Sequence, residues 1–331
     1  MSNFTFSFFE EQVLRAKKIL ILTHIDPDGD ALGAVLAMKN FLVEMGCSPD
    51  ISFSGKINKG LPVSEEETIS PNIVDPKIYD LILLLDTNNP QRTGVVFPEN
   101  LADLGQVFIV DHHIKKEDRK YPPNFHLLIN HEAAATCEII YDLFREGRKE
   151  ITNIAASYLL LGIYTDTGGF FHSNTTPELL IKVKELLQKG VLFKNIIQGA
   201  FYGKNVNVLN FWGEKIRKAQ FHPRLKFIFS WLNQKELNKK KISTEEIGGL
   251  VNLLNMCQEA KFSMFLSETE DNKIKGSLRS SEKKNSNVNI VSRFFGGGGH
   301  RLAAGFEVPG KIVENHKNIK IKQGKLFENT F

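Results

Sequence analysis

Carboxylates and imidazoles fall into four groups along this chain. They are Thr23-His24-Ile25-Asp26-Pro27-Asp28-Gly29-Asp30, then Asp86, then Asp111-His112-His113, then Asp166. Oxygen and imidazole donors in this mixture suit Mn²⁺, with Mg²⁺ or Co²⁺ as alternatives. No thiolate lies near them, which argues against a structural zinc site. Brought together, the four groups can assemble a two-metal centre from distant parts of the sequence.

Plainer readings account for less of the pattern. Asp26, Asp28 and Asp30 alternate as in a calcium-binding EF-hand loop, which needs Gly at its sixth position and Glu at its twelfth. Ala31 and Ala37 stand there instead. A simple acidic turn leaves His24 unexplained, along with the slim series Gly29, Ala31, Gly33 and Ala34, which lets backbone or ligand approach closely. Asp86 and Asp166, each taken alone, read as N-cap or turn residues. Asp111-His112-His113 says more, because two adjacent imidazoles after an apolar strand are costly to bury without partners.

A second constellation lies far downstream. Gly296 to Gly299 precede His300, between Phe294-Phe295 and Leu302-Ala303-Ala304-Gly305-Phe306. Flexible linkers usually mix Gly with Ser and polar residues, and no Gly-Lys-Ser/Thr follows to make a P-loop. Inside a packed domain, Gly297, Gly298 and Gly299 would offer backbone N–H groups to a phosphate or carboxylate. Arg279, in Gly276-Ser277-Leu278-Arg279-Ser280, is a candidate bidentate phosphate clamp.

These residues must be positioned by short apolar runs. Residues 19–22, 81–85 and 107–110 read as strands that end at the first three groups, and the apolar segment 158–164 leads into Asp166 in the same way. Parallel strands present their carboxyl ends along one edge, where ligands bind. Helices are expected over 30–44, stopping at Gly46, and over 136–145, stopping at Gly147. A third runs from the Thr176 N-cap and Pro177 to about 189, stopping at Gly190. The pattern predicts an α/β fold with a mostly parallel sheet flanked by helices, followed by a second, smaller α/β domain. Residues 205–220 read as a polar connecting helix with no strand beside it. In the second domain, 226–231 is a strand and Ser243-Thr244-Glu245-Glu246 is a capping box for a helix to about Cys257. Residues 261–266 and 273–278 form a hairpin around Glu270-Asp271-Asn272, and a short helix over 287–295 runs into the glycines. The lysine-rich tail, 317–325, reads as a solvated edge strand.

Bulk composition narrows the class. The 331 residues accommodate two domains, and 42% apolar with 24% charged residues is ordinary for a soluble globular protein. No run approaches eighteen apolar residues, so no membrane span is expected. The N-terminal residues lack a basic segment before an apolar stretch, so no signal peptide is expected. Cys47, Cys137 and Cys257 are odd in number and far apart, which argues for a reducing cytoplasm and against a disulfide framework. The net charge of +4 permits an anionic substrate without demanding nucleic acid.

Taken in order, seven stretches resemble the DHH phosphoesterase superfamily. They are 24–33, Asp86-Thr87 with Arg92 and Gly94, Asp111-His112-His113, Ala135-Thr136-Cys137-Glu138, Tyr164-Thr165-Asp166-Thr167-Gly168, Leu278-Arg279-Ser280, and Gly296 through His300. The chain is similar to the short members with a DHH-associated domain, the group of oligoribonucleases acting on nano-RNA and on 3′-phosphoadenosine 5′-phosphate. The resemblance covers about residues 12 to 310. It implies a DHH catalytic domain over 1–200, a helical linker over 201–222 and a substrate-binding domain over 223–331.

It also implies roles. His24, Asp28 and Asp86 would hold one Mn²⁺, and Asp30, His112, Asp166 and the bridging Asp86 the other. His113, backed by Asp111, would serve the scissile phosphate or its leaving oxygen instead of a metal. Arg92, Arg279, Ser280, Gly297, Gly298, Gly299 and His300 would hold substrate. Two ions about 3.5–4 Å apart would activate a bridging water for in-line attack, and the second domain would act as a lid. One stretch departs from the pattern: Gly169-Phe170-Phe171-His172 stands where a more polar run is expected, which bears on substrate preference and not on the metals.

The implied activity is Mn²⁺-dependent hydrolysis of short single-stranded RNA or dinucleotides to mononucleotides, in the cytoplasm, with a homodimer left open. The alternative is a linear or cyclic dinucleotide phosphodiesterase. The Gly-rich run with His300 disfavours inorganic pyrophosphatase, and the length disfavours a RecJ-like exonuclease for long DNA. A non-catalytic nucleotide-binding module would lack a ligand, yet all six metal-binding side chains are present.

Overall fold

The structure is a computed structural model that describes residues 4–53, 71–114, 119–201, 206–240, 247, 249–269, 271–315, 318–323 and 327–330. It divides into two compact units, 1–203 and 204–331. The Ser243-Thr244-Glu245-Glu246 capping box lies outside the described residues, as do Asn205, Glu270 and the ends of the 317–325 tail.

In the first unit, strands β1 (Ile19–Leu22), β2 (Asp50–Ser52), β3 (Leu81–Leu85), β4 (Gln106–Asp111) and β5 (Phe125–Ile129) form one sheet in the order β2-β1-β3-β4-β5. Every pairing is parallel. β1 and β3 are buried at every position, as strands covered on both faces require. The covering helices include α1 (Phe6–Arg15), α2 (Gly29–Glu44), α3 (Thr136–Glu146), α4 (Asn153–Asp166), α5 (Pro177–Gln188) and α6 (Phe193–Phe201). Asp28 caps α2, its carboxylate accepting from the N–H groups of Asp30 and Ala31. Thr176 caps α5.

One sequence expectation changes here and another is narrowed. The segment before Asp166 is not a strand: Asp166 is the last residue of α4. An apolar run of this length is compatible with a buried helix as much as with a strand, and α4 is buried on nearly every face. Of the two neighbours expected for the slim residues of α2, backbone or ligand, protein is what lies against them. A Cβ on Gly29 would lie 2.4 Å from Thr165 Oγ1, and one on Gly33 2.5 Å from the Tyr158 carbonyl. It is α4 that approaches closely, and this brings Asp30 at the start of α2 to Asp166 at the end of α4.

In the second unit, α7 (Val206–Arg217) precedes β6 (Gln220–His222) and β7 (Phe227–Leu232). The residues read as a connector belong to this unit and reach into a strand. The carbonyl of Lys215 in α7 accepts from the buried Ser230 hydroxyl in β7, at 2.8 Å. After α8 (Gln234–Lys240) and α9 (Leu250–Leu254) come β8 (Phe262–Glu268), β9 (Lys273–Arg279), α10 (Val288–Phe294), β10 (Gly298–Gly299) and β11 (Ala303–Pro309). The mixed sheet runs β10-β11-β9-β8-β7-β6. Its core includes Phe227, Phe229, Trp231, Met264, Leu266, Ile274, Leu278 and Phe306. The tail is a separate antiparallel sheet of β12 (Lys311–Asn315), β13 (Asn318–Gln323) and β14 (Phe327–Thr330). Because β13 pairs on both sides, the tail is a central strand and not an edge.

Candidate metal centre

β1, β3 and β4 run parallel, so their carboxyl ends lie on one edge, and the loops leaving them carry His24, Asp86 and Asp111-His112-His113. The α2 N-terminus adds Asp28 and Asp30, and the α4 C-terminus adds Asp166. Three overlapping sets result, each with its donor atoms within 4.8 Å of one another: His24, Asp28 and Asp86; Asp30, His112 and Asp166; Asp86, His112 and His113. Asp86 is shared by the first and third sets, and His112 by the second and third.

Backbone and tautomer prepare the donors. Asp86 follows β3 with φ +57°, a left-handed conformation that costs a non-glycine residue on the order of 1–3 kcal/mol and tends to occur at functional sites. His24 Nδ1 donates to the Ile25 carbonyl at 2.8 Å, which leaves the Nε2 lone pair 3.4 Å from Asp86 Oδ2. His112 Nδ1 faces the Ala133 carbonyl at 3.4 Å. Its Nε2 lies 3.3 Å from Asp166, 3.7 Å from Asp86 and 3.9 Å from Asp30. That nitrogen is buried and makes no hydrogen bond. His113 differs, because its Nδ1 donates to Asp111 Oδ1 at 2.8 Å. Its lone pair therefore belongs to Nε2, on a ring that is 44% exposed.

The electrostatics favour a cation. Asp86 is almost wholly buried, and burial followed by the charges of Asp30, Asp28, Asp166 and Asp111 pushes its carboxyl well above the ordinary range. Burial also raises Asp30, against the opposing charge of His112. Burial works against the His113 imidazolium, but its hydrogen bond to Asp111 and that residue's charge hold its pKa above the usual value. Clustered carboxylates around an orphaned buried imidazole nitrogen fit divalent cations.

Several supporting residues were not assigned a role from the sequence, although Thr136 and Cys137 lie in one of the seven stretches. The N–H groups of Thr136 and Cys137, at the start of α3, donate to the two Asp30 oxygens at 2.6 and 2.9 Å, and the Thr136 hydroxyl donates to Asp86 at 2.9 Å. Asn88 Nδ2 donates to the His113 carbonyl at 3.1 Å, while Arg119 and Tyr121 donate to Asn88. Hydroxyl and amide types permit such bonds, but nothing in the spacing announces them. Arg92 is exposed, and its charge is felt at His113.

The downstream candidates gather within the second unit. Arg279 ends β9 opposite Ala303 of β11, Ser280 N–H donates to the Leu302 carbonyl at 2.8 Å, and His300 N–H donates to the Ala303 carbonyl at 2.7 Å. Gly298 and Gly299 are exposed and pair with Gly305 and Ala304, so part of the run is a short strand. Gly297 packs where a Cβ would meet the Gly305 carbonyl at 2.2 Å. The Ser280 hydroxyl is engaged inside the unit, donating to the Lys261 carbonyl at 2.9 Å.

A parallel sheet whose strand ends carry His24, Asp86 and Asp111-His112-His113, followed by a mixed-sheet unit with a glycine run, is the architecture of the DHH phosphoesterases, and the chain belongs to that family of enzymes. Residues 18–163 match the DHH family N-terminal domain and residues 225–322 the DHHA1 domain. The chain is 27% identical over 305 residues to the bifunctional oligoribonuclease and PAP phosphatase NrnA of Mycoplasma genitalium, covering 91% of this chain and 90% of that protein. It is 29% identical over 304 residues to NrnA of Thermus thermophilus, covering 90% and 87%. Among solved structures, an exopolyphosphatase-related protein of Bacteroides fragilis superposes with a TM-score of 0.78 at 26% identity, covering 92% of this chain and 91% of that one. No helix among the described residues is long and apolar enough to cross a membrane.

Proposed function

We propose that this phosphoesterase hydrolyses very short oligoribonucleotides to mononucleotides and removes a phosphate from 3′-phosphoadenosine 5′-phosphate, using two Mn²⁺ ions. The observation that carries the reading is Asp86, which shares a donor set with His24 and Asp28 and lies 3.7 Å from His112 Nε2 of the other set. The relatives named as oligoribonuclease and PAP phosphatase, matched over nine-tenths of this chain, support the substrate class.

His24, Asp28 and Asp86 would hold one ion; Asp30, Asp86, His112 and Asp166 would hold the other. When bound, such ions polarise phosphoryl oxygens and lower the pKa of water. The protein's own groups do the rest. The α3 N-terminus fixes Asp30, and the Thr136 hydroxyl fixes Asp86. Asp111 holds the His113 ring through Nδ1 and favours its imidazolium, whose Nε2–H would donate to a phosphoryl or leaving oxygen. Arg92 adds positive charge near that point. Arg279, the exposed Gly298 and Gly299, and His300 would bind the nucleotide portion. A cytoplasmic setting fits these substrates and the three free cysteines.

The test is a competition assay with Mn²⁺, offering a dinucleotide, a five-mer, a cyclic dinucleotide, 3′-phosphoadenosine 5′-phosphate and pyrophosphate. Preference for the dinucleotide and for 3′-phosphoadenosine 5′-phosphate is expected. Preference for pyrophosphate or the cyclic dinucleotide would replace the reading.

A further inference from the structure

We propose that Phe171 is a stacking platform for a nucleobase of the substrate. The inference rests on the proposed nucleotide chemistry and names a residue that determines its specificity. Phe171 lies in the stretch Gly169-Phe170-Phe171-His172, which the metal chemistry leaves unexplained.

The turn after α4 is left-handed at three successive residues: Gly168 at φ +58°, Gly169 at +71° and Phe170 at +68°. Two are glycines, but Phe170 has no such freedom and must be held by its surroundings. Its N–H donates to Thr167 Oγ1 at 3.1 Å, and its ring packs against Tyr164 and Phe193, with centroids at 5.4 and 6.2 Å. Gly169 N–H donates to the Tyr164 carbonyl at 2.8 Å, and His172 N–H to the Thr167 carbonyl at 2.9 Å. Phe170 is thereby drawn inward, and Phe171 is thrown outward at 91% exposure, the highest of any large apolar side chain among the described residues.

Single exposed apolar residues are ordinary on protein surfaces. This one is distinguished by its mounting. His172 Nδ1 donates to the carbonyl of Asp166 at 3.1 Å, and Asn174 Nδ2 bridges the carbonyls of Asp166 and Ala134 at 3.3 and 3.1 Å. The strained turn is therefore fastened to the main chain of a candidate metal ligand and to the loop that leads into the α3 N-terminus. An open aromatic face carried on a turn that is bonded to the main chain of Asp166 suits the flat, uncharged part of a nucleotide, and stacking tolerates any base.

The experiment uses the metal-loaded full chain as wild type, Phe171→Ala, Phe171→Leu and Phe171→Trp. Calorimetry compares adenosine 5′-monophosphate with ribose 5-phosphate, which lacks only the base. Wild type should bind the nucleotide more tightly. Phe171→Ala should lose about 5- to 150-fold in nucleotide affinity, Phe171→Leu should lose part of that, and Phe171→Trp should restore it. Affinity for ribose 5-phosphate should be the same in all four proteins. Equal nucleotide affinity in wild type and Phe171→Ala would overturn the assignment. So would equal losses on both ligands, or a wild type that does not distinguish them. A change in sedimentation on Phe171→Ala would make the residue a self-association contact instead. Turnover of a dinucleotide by wild type tests the functional reading separately, since the binding comparison needs no turnover.

Discussion

The two units differ in how far they expose their candidate residues. In the first, Asp30 and Asp86 are sunk to 0% and 1% exposure, and partners from distant elements hold their oxygens. In the second, the sheet encloses a core of apolar side chains, and Gly298, Gly299 and His300 lie at the surface. A catalytic centre needs its charges fixed before substrate arrives, because desolvated charge acts strongly only when its geometry is set. A recognition surface needs open donors more than buried ones. Charge buried against a helix start is the mark of the first unit; exposed backbone at Gly298 and Gly299 is the mark of the second.

Substitutions at five positions would break or sharpen that contrast. Asp86→Ala should lower turnover on the order of 10⁴-fold or more, because Asp86 acts as a unit with the ligands it joins. Circular dichroism should show the fold retained; near-normal rates in a folded, metal-loaded variant would remove the two-metal assignment. His113→Ala should lower kcat by about 10²–10⁴-fold, the range for a positioned acid or base. Elemental analysis should find its metal content unchanged, and a parallel loss of metal would make His113 a ligand.

Arg279→Ala and His300→Ala probe the other unit. Each should cost roughly 10- to 150-fold in kcat/KM on nucleotide substrates, the worth of a charge-assisted hydrogen bond. Bis-p-nitrophenyl phosphate should be hydrolysed almost as before. Equal losses on both substrates would show that the second unit supports the chemistry itself. The smallest effect is expected for Thr136→Val, which removes one hydroxyl behind Asp86. Mn²⁺ affinity should fall roughly 10-fold, the lower end for a group supporting a metal ligand. Thr136→Ser should restore it, and unchanged affinity would mean the hydroxyl does not orient Asp86.

Much of this was legible before any coordinates. The apolar runs 19–22, 81–85 and 107–110 are strands, and the acids and histidines after them converge. Asp166 was harder, because α4 is buried nearly all round and loses the polar stripe that marks a helix. The slim residues of α2 were visible, but sequence could not say whether ligand or helix lay against them. The bonds from Thr136 and Cys137 to Asp30 come from backbone N–H groups, which every residue but proline carries. In the second unit, Ser280 was a substrate candidate through the family resemblance alone, and residue type could not show that its hydroxyl donates to the Lys261 carbonyl.

The position of Asp166 at the end of α4 has a consequence for the order of loading. The final carbonyls of a helix carry roughly half a negative charge, so the carboxylate that closes α4 adds to a field already negative. Across from it, the N–H groups that open α2 and α3 are turned onto Asp28 and Asp30. The cradle built from α2, α4 and the strand ends is therefore hostile to any anion while it stands alone. On this electrostatic argument a phosphate should enter only with its cations or after them.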